Sequence, residues 1–276
     1  MEQLPASRTA VRVALQRAVH QLLDDEPRVF IDPVAVGLFP EATEAAIRGQ
    51  ADQFLEPSWR RIRANFLLRS RQAEDSLAEA VARGVKQYVV LGAGLDTFAY
   101  RQPTWDHPAS QYFKIECLRN RGLFIPSNLH FRPVDFRTET LSEKLADTPL
   151  AKTEPIFVSW LGVTQYLSSE AIEGTLRAVA SWQGRSEIVL EHIEGDWTSL
   201  DAVARKAMED AAARAAFGGE PWLSRFSSEA MGSLLLKSGF SETRHFSIED
   251  ATRRYFQGRS DGLFPAGGIA MVWARS

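Results

Sequence analysis

"VVLGAGLDTFAY", Val89 to Tyr100, is the stretch on which the fold turns. Its apolar, β-branched opening shows no polar alternation, the pattern of a strand buried on both faces. The glycines at 92 and 94 then close it into a tight turn. In an open α/β sheet, ligands lie beyond the carboxyl ends of the strands, and the turn after the first strand is a usual place for them. A bare backbone at Gly92 and Gly94 would let a ligand approach closely. Thr97 stands where a dinucleotide turn has its third glycine, so the G-x-G-x-x-G fingerprint is incomplete. Taken alone, the turn fits a ligand site and a ligand-free strand-to-helix connection equally well.

Runs of similar character recur along the chain: "KQYVVLGAG" (86–94), "LHFRPVDF" (129–136), "EPIFVSWLG" (154–162) and "SEIVLEHI" (186–193). Segments of helical composition mostly separate them, which predicts parallel strands in a doubly wound α/β sheet. Past Pro221 come a helix in "FSSEAMGSLLLKSGF" and strands near "SETRHFSI" and "GGIAMVWAR". With no helix between those last two, they predict an antiparallel pair at one edge of the sheet. Before the sheet, Val11, Ala14, Leu15, Ala18, Val19 and Leu22 recur at helical spacing, predicting a helix over 7–25 that Ser7 could cap. Further helices are expected over 41–56 and 59–84, the latter ended by Gly84. The expected organisation is one compact unit. Residues 1–84 form an N-terminal helical lid with the first sheet helix, and residues 85–276 an α/β core with a substrate-side insertion around 195–226.

The chain has 276 residues, 45% of them hydrophobic, enough for a full core. Its net charge of -3 gives no general electrostatic reason to expect nucleic acid. The apolar runs are too short to cross a membrane. One cysteine, Cys117, excludes an internal disulfide and suits the cytoplasm. The histidines are scattered singly, so no metal site is expected. The partner to look for is a small molecule.

"RSRQAED", "RGVKQYVVLGAGLDTFAYR", "DHPASQYFK", "NLHFRPVDF", "SWLGVTQYLSSEAI" and "GEPWLSRFSSEAMGSLLLKSGF" follow one another in this order. Together they resemble the leucine carboxyl methyltransferase-like family of S-adenosylmethionine-dependent methyltransferases, in its bacterial and actinobacterial O-methyltransferase branch, from about Ser7 to Arg275. The resemblance implies the class I methyltransferase fold, Rossmann-like, a seven-stranded sheet with one antiparallel strand. It also implies roles. Arg71 would pair with the methionine carboxylate of S-adenosylmethionine, and Gly92, Ala93 and Gly94 would pass its aminoacyl portion. Asp106 would take the ribose hydroxyls, Asp135 the adenine amino group, and Phe136 the adenine face. Leu161, with Gly162 and Val163, would lie near the sulfonium.

The chain departs from that family pattern in two places. Asp106 lies only twelve positions beyond Gly94, and Thr104 stands where relatives carry a glutamate, so the second strand reads as shortened or missing. Leu161 replaces a glutamate common among relatives. Near the acceptor, Tyr166, His192, Trp222 and Arg225 are the candidates, and they form no triad. The implied activity is methyl transfer to an oxygen acceptor, a carboxylate in the family's best-known members. Two alternatives stand beside it: a methyltransferase-like binding protein that has lost its cofactor, and a nucleotide-dependent oxidoreductase, which the missing third glycine opposes.

Overall fold

The computed structural model describes residues 8–38, 44–101, 129–136 and 138–276. Among the described residues five strands form one sheet: β1 (Gln87–Leu91), β2 (Ile156–Trp160), β3 (Ser186–Ile193), β4 (Glu242–Phe246) and β5 (Ile269–Arg275), in the spatial order β1-β2-β3-β5-β4. The first three are mutually parallel, while β5 runs antiparallel to both β3 and β4. The late antiparallel pair therefore sits at one edge of the sheet, with the reversed strand β5 one place in from it.

Strand parity builds two cores. The short helix α5 (Phe98–Arg101) follows the glycine turn, and Val89, Leu91, Val158, Trp160, Ile188 and Leu190 face the helices α6 (Leu141–Ala146), α7 (Ser169–Ala180) and α9 (Ser228–Ser238). Phe157, Val189 and Trp273 face the opposite way, onto Ala73, Leu77 and Ala80 of α4 (Pro57–Ala82). All eight residues of β3 are buried, which explains the lack of alternation in "SEIVLEHI". Each large aliphatic buried here contributes about 1.5–3 kcal/mol.

Local signals set the helix ends. α4 closes in a double turn in which the Val85 amide donates to the Ala80 carbonyl and the Gly84 amide to the Val81 carbonyl, with Gly84 at φ 100°. That is the left-handed glycine stop expected from the sequence. The helix expected over 41–56 is two short ones, α2 (Glu44–Gly49) and α3 (Ala51–Phe54). The break falls at Gly49, a residue that costs about 1 kcal/mol inside a helix.

"LHFRPVDF" is not a strand. Residues 129–136 join no ladder, although Leu129 and Val134 are buried. A strand needs a neighbour to exchange backbone hydrogen bonds with, and Pro133 removes a donor from the middle of the run. The shortened second strand expected before Asp106 falls on residues 102–128, outside the described residues, as does the Ser7 cap.

Two buried polar clusters hold α1 (Arg8–Leu23) against the rest. Arg63 of α4 forks onto Asp24, Nε to Oδ2 at 2.8 Å and Nη2 to Oδ1 at 2.6 Å, and His20 Nδ1 lies 2.8 Å from the same Oδ2. Arg17 pairs with Asp32 at 3.2 Å, donates to the Leu95 carbonyl and reaches Asp96 at 3.4 Å. The second cluster ties α1 directly to the glycine turn.

Candidate active site

A cavity of about 690 Å³ opens at the carboxyl ends of β1, β2 and β3. This is the end of a parallel sheet where ligand sites form, and the size lies within the usual range of roughly 300–1,000 Å³. The turn from Gly92 to Asp96 forms one wall, and Thr9, Arg12, Val13 and Arg17 of α1 cover it. α4, α8 (Ala202–Phe217) and the loop 219–223 complete the enclosure.

Gly92 and Gly94 have φ of 65° and 50°, a region that side chains disfavour. A side chain at Gly92 would overlap Val163, and one at Gly94 would come within 3.1 Å of Ala10 Cβ. The bare positions thus make room for protein neighbours, Val163 and α1, and both glycines line the cavity. Ala93 lines the cavity beside them.

Asp135 and Phe136 lie on the same cavity. The Asp135 carbonyl accepts from the Thr138 and Glu139 amides at 3.0 and 2.8 Å, and its own amide donates to Glu139 Oε2 at 2.9 Å. The Phe136 ring centroid is 6.1 Å from that of Trp160. Leu161, Gly162 and Val163 cap β2 and line the floor.

Arg71 is not part of this assembly. It pairs with Asp75 at 3.0 Å, lies over the Tyr255 ring at 5.4 Å and is 43% exposed. The cavity cation from this helix is Arg69, whose Nη1 is 2.9 Å from Glu191 Oε2. Two positions along a helix turn a side chain through about 200°, so Arg69 and Arg71 point to opposite faces. The spacing Ile62, Phe66, Ala73, Leu77 carries the buried stripe, and position 69 falls on it while 71 does not. That was the available signal.

The same geometry separates Glu191 from His192. Neighbours on a strand face opposite sides of the sheet. Glu191 enters the cavity, whereas His192 is fully buried on the far face, its ring centroid 6.4 Å from that of Phe226. Burial pushes the His192 imidazole down to about 4, so it is neutral at pH 7. Its burial away from the cavity keeps it from reaching an acceptor as a base. Arg225 also lies outside the cavity, stacked over Trp197 at 4.2 Å. Tyr166 and Trp222 do line it, and burial raises the Tyr166 phenol above its ordinary value. Asp106 is outside the described residues. Besides Arg69 and Glu191, the sequence reading missed Arg12 and Arg214, which α1 and α8 bring to the cavity from distant parts of the chain.

The family model described as "Leucine carboxyl methyltransferase" matches residues 10–180. A Bacillus subtilis protein, "Putative S-adenosyl-L-methionine-dependent methyltransferase YktD", is 34% identical over 208 residues, covering 71% of this chain and 67% of that protein. A similarly named protein of Frankia alni is 30% identical over 188 residues, covering 63% of each. Among solved structures, a DUF574 family protein from Streptomyces avermitilis superposes with a TM-score of 0.57 at 12% identity, over 95% of this chain and 97% of that one. A "putative methyltransferase" from Thermobifida fusca gives 0.55 at 16% identity, over 90% and 94%. At those identities the structural likeness speaks for the fold, a class I methyltransferase fold, and the sequence matches speak for the family. The chain belongs to the leucine carboxyl methyltransferase family of S-adenosylmethionine-dependent methyltransferases.

Proposed function

We propose that the protein transfers the methyl group of S-adenosylmethionine to an oxygen of a small molecule, and that this oxygen belongs to a carboxylate. One observation carries the reading. Among the described residues no histidine lines the cavity; of its two phenols, Tyr166 is kept protonated at neutral pH by burial and Tyr88 shares a hydrogen bond with the Ser159 hydroxyl. Glu191 is held by Arg69, and Glu220 accepts a hydrogen bond from Thr9. A hydroxyl acceptor profits from a base, whereas a carboxylate is already an anion at neutral pH.

The residues present fit the cofactor. The floor at Leu161 to Val163 adjoins the glycine turn, and Asp135 offers an acceptor beside the flat apolar face of Phe136. Arg69 takes the place first given to Arg71 as the cation for the methionine carboxylate, with Gly92, Ala93 and Gly94 along the aminoacyl portion. Asp106 remains the ribose ligand by resemblance. When bound, S-adenosylmethionine supplies an electrophilic methyl group on a sulfonium. This chain's part is to orient the two reactants and exclude water, with α1 as the lid and residues 195–226 as the substrate-side insertion. No helix among the described residues is long and apolar enough to cross a membrane. We place the protein in the cytoplasm on its single cysteine.

Thermal unfolding with S-adenosylhomocysteine, followed by a screen of carboxylic acids and phenols with labelled methyl donor, tests the proposal. The expected result is a raised Tm and methyl ester products. No Tm shift at saturating ligand, with folded and monodisperse protein, refutes cofactor binding; ethers from phenols alone refute the carboxylate acceptor.

A further inference from the structure

One side of the cavity runs along α4. Trp59, Ile62, Phe66 and Arg69 line it in succession. The ten positions from Trp59 to Arg69 span about 15 Å of helix axis. Arg69 marks the reacting end, because its guanidinium passes over Gly162 at the end of β2, within 2.8 Å of where a Cβ would stand. At the other end Arg214 of α8 lies over the Trp59 ring, 4.7 Å from its centroid. Arg12 of α1 lines the cavity as well. Burial, and then the charge of Arg12, lower the Arg214 pKa, so the two guanidiniums feel one another.

Neither cation is well matched. Among the described residues Arg12 forms no ion pair, Arg214 reaches only Asp210 at 4.0 Å, and Arg214 Nε is buried without a hydrogen-bond partner. Ile62, Phe66, Ile193, Ala211 and Ala215 give the cavity much apolar lining, and Glu220, the carboxylate of the loop 219–223, is engaged by Thr9. Two like charges brought together against apolar walls repel and lose hydration, and an anion between them relieves both costs. Paired guanidiniums suit planar carboxylates and phosphates in particular.

We propose that the acceptor carries an anionic group, a carboxylate or a phosphate, held by Arg12 and Arg214, apart from the oxygen that is methylated and joined to it by an apolar or aromatic body. The inference rests on the methyl-transfer reading of the cavity. It makes the acceptor an elongated molecule with polar ends roughly 15 Å apart at most, by the length of α4 between Trp59 and Arg69.

Calorimetric titration of the whole chain saturated with S-adenosylhomocysteine tests it, with 6-phenylhexanoate, its neutral amide and 6-phenylhexyl phosphate as probes. One or both anions should bind about tenfold or more tighter than the amide, and the stronger of the two identifies the head group. Arg12→Gln and Arg214→Gln should each remove most of that preference while affinity for the amide and for S-adenosylhomocysteine stays within about twofold. Arg214→Lys, which keeps the charge, should retain part of it, separating charge recognition from damage to the fold. Equal binding of amide and anions, no anion binding at millimolar concentration, or a preference that survives both Gln substitutions overturns the inference. S-adenosylhomocysteine still bound in those cases leaves the methyl-transfer reading standing; its failure to bind overturns that reading instead.

Discussion

Asp24→Asn should destabilise the protein by about 3 kcal/mol, the lower end of the range for breaking a buried ion pair from one side. The figure follows from what remains. Arg63 has no exposed surface, and among the described residues Asp24 supplies the only anion against it, through both oxygens. Without that anion the guanidinium keeps Gln16 Oε1 at 3.2 Å and the Phe54 carbonyl at 3.0 Å, which hydrogen-bond it but carry no charge. His20 cannot compensate, since an imidazole is neutral or cationic and never an anion. Urea unfolding at pH 7 measures the loss, and Tm should fall by roughly 6–12 °C for a chain of this size. Asp24→Leu combined with Arg63→Met should recover much of the stability by removing both charges. There is a pH counterpart. Burial alone would raise Asp24, but hydrogen bonds from His20 and Arg63 outweigh it and hold the carboxyl at about 2. A depressed carboxyl pKa contributes stability that is present above the unfolded value near 4 and lost as pH falls through 2, here about 2 kcal/mol. A loss under about 1 kcal/mol in Asp24→Asn would mean the pair is nearly balanced by its desolvation, and would refute this account.

Asp135→Ala should weaken S-adenosylhomocysteine binding about tenfold without unfolding the protein, and Asp106→Ala should weaken it if the short segment before it reaches the ribose; unchanged calorimetric affinity in either removes that residue from the site. Arg69→Met should weaken the same ligand whereas Arg71→Met should not, and the reverse result would restore the original assignment. His192 is depressed to about 4 from an unfolded value near 6.5, so it should cost stability as pH falls from 6.5 toward 4, about 2 kcal/mol by pH 5; His192→Leu should flatten that part of the urea-midpoint profile. For a carboxylate acceptor the chemical step should vary little between roughly pH 6 and 9, and a steep rise through neutrality abolished in His192→Ala would overturn the placement of that side chain.

What the sequence determined by itself was local or periodic. The buried strands, the glycine stop at Gly84 and the edge pair formed by β4 and β5 depend on composition and order along the chain, which neighbouring residues specify. Even so, "LHFRPVDF" has strand composition without strand pairing, because a ladder needs a partner edge as well as a suitable run. The cavity walls around the glycine turn were legible for the same reason: Ala93, Asp135, Phe136 and Leu161 sit on loops that follow apolar runs, and such loops converge at one end of a doubly wound core.

Only the tertiary structure decided which side chains enter the cavity. Arg69 and Arg71 differ by a rotation about the helix axis, Glu191 and His192 by the face of one strand, and residue types alone set neither angle against the neighbours. The space at Gly92 and Gly94 is taken by Val163 and Ala10, a fact about packing between distant segments. Arg12 and Arg214 are far apart in the chain and line one cavity because α1 and α8 both border it. Charges brought together in this way are set by how the helices dock, and docking follows from the buried apolar surface that several segments share rather than from any one stretch of sequence.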